Sequence, residues 1–196
     1  MTFKEISHHL NKFRVGIAGA GGLGSNCAAA LVRSGVGHLV ISDFDLVSLS
    51  NLNRQYYFSD QVGRKKVDAL MDNLLRIRED VDIVSYDKVI NEDNIEEIFK
   101  DCDIIVEAFD RSDMKEMLAR KVIDLWPGRP LIIGSGMAGY GNTEKIRVRD
   151  LGDNLFSCGD EISEVSDDLP PLAPRVGIVA SMQADLVIDI LMKMHR

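Results

Sequence analysis

The sequence predicts an α/β protein built on a doubly wound, mostly parallel sheet, with an antiparallel C-terminal strand and a final helix. Three observations carry that expectation. Short apolar, β-branched runs alternate with helical stretches along most of the chain, the pattern of strand–helix–strand crossovers. The first run opens directly into Gly19-Ala20-Gly21-Gly22-Leu23-Gly24, where Gly19, Gly21 and Gly24 satisfy G-x-G-x-x-G. The second run ends on Asp43, roughly twenty residues further on, where a Rossmann-like unit carries its acidic residue.

The elements follow in order. Ile6, Leu10 and Phe13 share one face of a short amphipathic helix over Ile6 to Phe13. Arg14 to Ala18 reads as a buried parallel strand, Leu23 to Ser34 as a helix stopped by Gly35, and His38 to Ser42 as the second strand. Phe44 to Asp60 is polar and too long for a tight connection, so it reads as a functional loop holding one helical turn. Lys65 to Arg78 is helical, with Val67, Leu70, Met71, Leu74 and Leu75 as its apolar stripe. Val81 to Tyr86 is a strand, and Asn91 caps a helix running to Lys100.

Asp103 to Glu107 is the next strand and runs into Ala108-Phe109-Asp110. A helix over Met114 to Leu125 and a strand over Leu131 to Gly134 complete the alternation. Glu144 to Arg149 alternates and suggests an antiparallel strand. Leu151 to Pro174 is acidic and proline-bearing, which predicts a long mobile loop, and Val176 to Met194 is the last helix.

At 196 residues the chain is expected to form one domain spanning residues 1–196. Charged residues interrupt every apolar run before membrane-span length, and the opening MTFKEISHHLNKF has no apolar signal region. A cytoplasmic location is the expectation. A net charge of −8 argues against a general nucleic-acid binder but leaves room for a small anion held by local cations and amides. The three cysteines, Cys27, Cys102 and Cys158, are widely spaced without a C-x-x-C, so neither a zinc site nor a disulfide framework is expected. Cys27 and Cys102 read as small core residues, and Cys158, in the polar FSCGDE, as the exposed one.

The glycine loop predicts an adenosine nucleotide, its phosphates at a helix N-terminus, without choosing among NAD, FAD and ATP. The segment DFDLVSLSNLNRQYYFSDQVGRKKVD, from Asp43 to Asp68, adds cations that a triphosphate would use. Arg54 can pair bidentately with phosphate oxygens, and Lys66 offers a compact charge at a helix start. For any one of these the alternative is a solvated surface cation, although a cation at a helix start opposes the macrodipole unless an anion is nearby. Asn51 and Gln55 supply neutral hydrogen-bonding groups. The expected nucleotide set is therefore Gly19, Gly21, Gly22, Gly24, Asp43, Asp45, Asn51, Arg54, Gln55 and Lys66.

GAGGLGSN, DFDLVSLSNLNRQ, GRKKVD, the EAFD ending at Asp110 and the closing LAPRVGIVASMQADLVIDIL together resemble the ubiquitin-activating-enzyme-like adenylyltransferases of the ThiF and MoeB kind. The resemblance runs from about Val15 to the last helix. It implies a ribose contact for Asp43, ATP phosphate contacts for Arg54 and Lys66, and Mg²⁺ at Asp110. An acid just past a strand end suits that place, although a turn or helix-cap aspartate is the alternative. The chain lacks an arginine-bearing N-terminal arm and zinc-binding cysteine pairs, so it looks like the short, zinc-free ThiF branch.

The implied reaction is adenylylation by ATP of the C-terminal glycine carboxylate of a small ubiquitin-fold sulfur carrier ending in Gly-Gly, in a homodimer serving thiamine synthesis. Catalytic weight falls on Arg54, Lys66 and Asp110. Cys158 is a candidate second-stage nucleophile, against the alternative of an inert exposed thiol. Gly134 to Gly141 reads equally as part of the carrier-tail channel or as a flexible turn. The competing readings are a molybdopterin- or cysteine-synthesis carrier, a small-molecule or tRNA carboxylate, a non-catalytic scaffold subunit, and an NAD-dependent oxidoreductase.

Overall fold

The computed structural model describes residues 1–195. Its strands are β1 (Arg14–Ala18), β2 (His38–Ser42), β3 (Asp82–Tyr86), β4 (Ile104–Glu107), β5 (Leu131–Gly134), β6 (Arg147–Asp150) and β7 (Leu155–Gly159). They form one sheet in the order β3-β2-β1-β4-β5-β7-β6, with every neighbouring pair parallel except β6 with β7. The helices are α1 (Phe3–Leu10), α2 (Gly22–Ser34), α3 (Lys66–Leu75), α4 (Ile95–Phe99), α5 (Ser112–Leu125) and α6 (Ala173–Lys193). This is the doubly wound, Rossmann-like fold that the sequence predicts.

Residues of α1, α2, α3 and α6 pack in one apolar core, and residues of α4 and α5 in another. A sheet covered on both faces explains why its central strands read as continuous apolar runs. The chain crosses from β1 to β2 in one direction and reaches β4 in the other, so a crevice opens at the carboxyl ends of β1 and β4.

Gly19 and Gly24 fix the entrance to that crevice. Gly19 has φ +100° and donates its N–H to the Ser42 carbonyl at 2.8 Å. A Cβ on Gly24 would lie 1.9 Å from the Gly19 carbonyl oxygen, so only hydrogen at that position lets α2 start this close to the β1 turn.

Several boundaries differ from the sequence expectation. α1 begins at Phe3, because Thr2 and Glu5 form a reciprocal capping box, and it ends before Phe13, which still packs into the core. The helix expected from Asn91 is reduced to α4. Asn91 uses its side-chain oxygen to accept from the N–H groups of Asp93 and Asn94, which closes a turn instead. Leu151 to Pro174 is not one loop, since β7 lies inside it. Gly152, Asp153 and Asn154 all adopt positive φ and turn β6 back into β7. Thr143–Lys145 is a 3-10 turn, so the antiparallel strand starts at Arg147. None of the described helices is long and apolar enough to cross a membrane.

Two glycine-to-alanine substitutions separate crowding from chain entropy. Gly24→Ala is expected to destabilise by more than about 3 kcal/mol, because backbone must move. Gly177→Ala, in α6 with nothing within 4 Å of the added carbon, is expected to stabilise by about 0.5–1 kcal/mol. Denaturant unfolding of both variants checks the sign of each change.

Candidate nucleotide-binding site

The residues singled out in the sequence gather at the carboxyl edge of the sheet. Gly21 is the N-cap of α2 and makes no side-chain cap, and the first turn of the helix has no acidic residue. Its leading amides are therefore offered to an anion rather than satisfied internally. A Cβ on Gly21 would meet only the Gln55 amide nitrogen, at 3.9 Å, whereas one on Gly22 would press on Val176 of α6 at 3.0 Å.

Asp43 leaves the end of β2 and ties the loop down. Its Oδ2 accepts from the Ala20 N–H at 2.7 Å and its Oδ1 from the Asp45 N–H at 2.8 Å. Each oxygen keeps a second lone pair for a ligand. Burial pushes the Asp43 carboxyl up, against the pull of Lys66 and these two amides. Lys66 stands at the first position of α3, only 5% exposed, with Nζ 2.7 Å from Asp45 Oδ2. The Asp45 carboxylate thus supplies the anion that a cation at a helix start requires.

Arg54 is half-buried over the glycine loop. Its Nη1 donates to the Asn53 side-chain oxygen at 2.8 Å and to the Ser50 carbonyl at 3.2 Å. Burial lowers its pKa, and the charge of Asp110 partly restores it, which brings Arg54 and Asp110 into one electrostatic neighbourhood. Gln55 is buried, and its Oε1 has no partner among the described residues. Asn51 uses its side-chain oxygen on the Ser48 N–H, which shapes the 3-10 turn Leu49–Asn51. Its backbone carbonyl accepts the N–H groups of both Arg54 and Gln55, which fixes these two residues on the turn.

Asp110 is exposed just beyond β4, and its carboxylate makes no hydrogen bond or ion pair among the described residues. A free hard-oxygen donor there fits Mg²⁺, which takes one or two carboxylates and fills its other positions with phosphate and water. No group of three His, Cys, Asp or Glu side chains able to cage an ion occurs among the described residues. Most ligands to such an ion would come from the nucleotide.

The placement of Cys158 overturns the sequence expectation. It is 0% exposed, the fourth of the five residues of β7, and burial pushes its thiol up to about 12. Such a thiol holds its proton at neutral pH and cannot be reached, so the structure contradicts the exposed thiol and gives no support to a nucleophile at Cys158. FSCGDE reads as polar, but β7 lies inside the sheet between β5 and β6, and Cys158 packs into the core that α2 and α6 share.

Four further groups brace the crevice. The Tyr57 hydroxyl donates to the Ala20 carbonyl at 2.7 Å, pinning the glycine loop from below. Glu107, fully buried at the end of β4, accepts from Lys115 Nζ at 2.8 and 3.0 Å, and the same ammonium reaches the Gly134 carbonyl at 2.8 Å. Gln183 of α6 donates to the Glu107 carbonyl at 3.1 Å. Arg175, in the first turn of α6, pairs with Asp160 at 2.5 Å, both almost fully buried. A lysine five positions past Asp110 and an arginine at a helix start were the available signals, but their partners are remote in sequence.

These features define a doubly wound protein with an anion-accepting helix start and a cluster of phosphate-compatible cations. The ThiF family model matches residues 2–196, and the chain belongs to the ThiF family. It is 34% identical over 195 residues to the adenylyltransferase and sulfurtransferase MOCS3 of Caenorhabditis briggsae, covering 95% of this chain and 47% of that protein. It is 30% identical over 185 residues to the molybdopterin-synthase adenylyltransferase of Escherichia coli strain K12, covering 89% of this chain and 71% of that protein. The chain thus spans about half the length of the first relative. Among solved structures, E. coli tRNA N6-threonylcarbamoyladenosine dehydratase, TcdA, in complex with AMP superposes with a TM-score of 0.87 at 18% identity. The match covers 96% of this chain and 89% of that one, and it shows the shared fold.

Two measurements follow from the buried groups. With Cys27, Cys102 and Cys158 all buried, and Cys102 also raised to about 12, an aromatic disulfide reagent is expected to label none of the native thiols within minutes near pH 8 and all three after denaturation. Burial alone would raise the Asp160 carboxyl, but bonds from the Ser163 hydroxyl, the Ser163 and Ile162 N–H groups and Arg175 bring it down to about 2. A depressed carboxyl stabilises the fold above its unfolded pKa of about 4, and that contribution is lost as pH falls through 4 towards 2. Stability of the native protein is expected to fall by about 2 kcal/mol more over that range than stability of Asp160→Asn.

Proposed function

We propose that the chain is an ATP-dependent adenylyltransferase acting on the C-terminal glycine carboxylate of a small ubiquitin-fold sulfur carrier protein. The observation that carries this reading is the convergence of Arg54, Lys66 and the unpaired Asp110 on an uncapped helix start. A hydride-transfer enzyme would have no task for these three groups. The adenylyltransferase names of the two relatives support the same class of reaction.

In this reading Asp43 accepts the ribose hydroxyls, and the α2 amides with Arg54 and Gln55 hold the phosphates. Gln55 Oε1 is a buried acceptor without a partner among the described residues, so a water or a ligand N–H or O–H would satisfy it, while the phosphates take its amide N–H groups. Lys66 exchanges Asp45 for a phosphate oxygen, trading one anion for another in a buried position. Asp110 would hold Mg²⁺, which when bound would offset the charge that builds on the departing phosphates.

The carrier carboxylate is already ionised at neutral pH, so no general base is needed. One of its oxygens attacks the α-phosphorus, the bond from that phosphorus to the bridging oxygen breaks, and pyrophosphate leaves with the electron pair. The products are an acyl-adenylate and pyrophosphate. The protein's part is to align the reactants and stabilise charge where it accumulates.

The finer assignments belong to the same proposal: a homodimer, a cytoplasmic enzyme of one domain, and thiamine synthesis as the destination of the carrier. The thiamine assignment rests on the resemblance of its motifs to ThiF sequences and on the lack of a C-x-x-C pair in this sequence. A molybdopterin-type carrier is the second reading, favoured by the name of the E. coli relative.

ATP–pyrophosphate exchange with carriers ending in Gly-Gly tests the proposal. Exchange is expected with one carrier class and to fall at least about 100-fold in Asp110→Ala. Absence of exchange with every carrier, alongside tight NAD binding, would contradict it.

A further inference from the structure

Arg175 is placed where helix electrostatics disfavour it. It is the third residue of α6, where the macrodipole repels a cation, and it is only 2% exposed. A buried guanidinium is tolerated only with its donors satisfied. Here the two terminal nitrogens run to two loops, while Nε has no partner among the described residues. Nη1 reaches the Gly141 carbonyl, and Nη2 reaches Asp160 Oδ2 and, at 3.5 Å, Ser163 Oγ.

Those loops leave the carboxyl ends of β5 and β7, on the same edge of the sheet as the glycine loop and Asp110. They are fitted to each other at close quarters. A Cβ on Gly136 would lie 2.1 Å from Asp160 Oδ1, and one on Gly159 would lie 1.5 Å from the Ser135 carbonyl oxygen. The Gly139 N–H donates to the Pro170 carbonyl at 2.9 Å, and Ala138 bridges Pro171. The far end of this double loop touches the nucleotide side: Asn53 Nδ2 donates to the Pro171 carbonyl at 3.3 Å, while Asn53 Oδ1 holds Arg54 at 2.8 Å.

The strand order sets what this wall faces. Asp43 lies at the β2 end, the glycine loop at β1, Asp110 at β4, and the double loop beyond them at β5 and β7. With the ribose at Asp43 and the phosphates at α2 and Asp110, the wall lies next in the sheet beyond Asp110, on the side open to a carboxylate that attacks the α-phosphorus opposite the departing pyrophosphate. Resting on the adenylyltransferase reading above, we propose that Arg175 is a positioning residue for the acyl substrate. By clamping Asp160, Ser163 and the Gly141 carbonyl, it fixes the loops after β5 and β7 as the wall against which the C-terminal tail of the carrier lies. It touches neither ATP nor the reacting atoms.

A split between two Michaelis constants tests this. In carrier-dependent exchange by the full chain, Arg175→Met keeps the apolar stem and loses the fork. It is expected to raise KM for the carrier about 10- to 100-fold while KM for ATP stays within about 2-fold. Arg175→Lys, able to keep one of the bonds, is expected to recover part of the loss. If Arg175→Met does not fold, Ser163→Ala removes one member of the clamp, with an expected rise of about 2- to 5-fold in the carrier KM alone.

Equal changes in both KM values, or an unchanged carrier KM in a folded Arg175→Met or Ser163→Ala, would overturn the assignment and leave the adenylyltransferase reading standing. Failure of the native protein to exchange with any carrier would overturn the reading itself, and the positioning role with it.

Discussion

The absence of room for a single carbon at Gly24 governs the crevice. With hydrogen there, α2 begins against the Gly19 carbonyl, and its first amides face the carboxyl edge of the sheet. Everything proposed for the site is arranged around that helix start. Asp43 and Tyr57 hold Ala20 from two sides, through its N–H and its carbonyl. Val176, at the start of α6, closes on Gly22. The anion-accepting end is thus set by packing before any ligand arrives, and a preorganised donor array costs little reorganisation when charge develops there.

Charge around the helix start is kept in balance by local exchange. Lys66 has Asp45, Arg54 lies in the field of Asp110, and Lys115 has Glu107. The three pairs differ in what they can give up. Lys115 contacts both Glu107 oxygens and the Gly134 carbonyl, so it serves as a brace between β4 and β5. Lys66 has one exposed acidic partner and can release it to a competing anion. Arg54 contacts only neutral acceptors, which leaves its charge available.

The sequence made the fold and the nucleotide half of the site legible, because both rest on local signals. The G-x-G-x-x-G turn, Asp43 at a strand end and Lys66 at a helix start are each readable from their neighbours. Asn51 has a second role that its residue type does not announce: its side-chain oxygen accepts from the Ser48 N–H and holds that turn. Cys158 and β7 were misread for a different reason. A five-residue strand of mixed polarity carries almost no periodic signal, and its burial comes from an interior place in the sheet and from the core that α2 and α6 share with Cys158. The Arg175–Asp160 clamp is likewise a product of topology, since the ion pair forms only when α6 returns across the sheet.

The proposed function depends on phosphate binding at the start of α2, between Asp43, Arg54, Lys66 and Asp110. Amide chemical shifts of the labelled protein, followed during titration with ATP and magnesium, test it most directly. The largest shifts are expected at Ala20 to Gly24, Arg54, Lys66 and Asp110. Shifts concentrated instead at the opposite edge of the sheet, around the basic cleft formed by Arg14, Lys100 and Arg129, would contradict it.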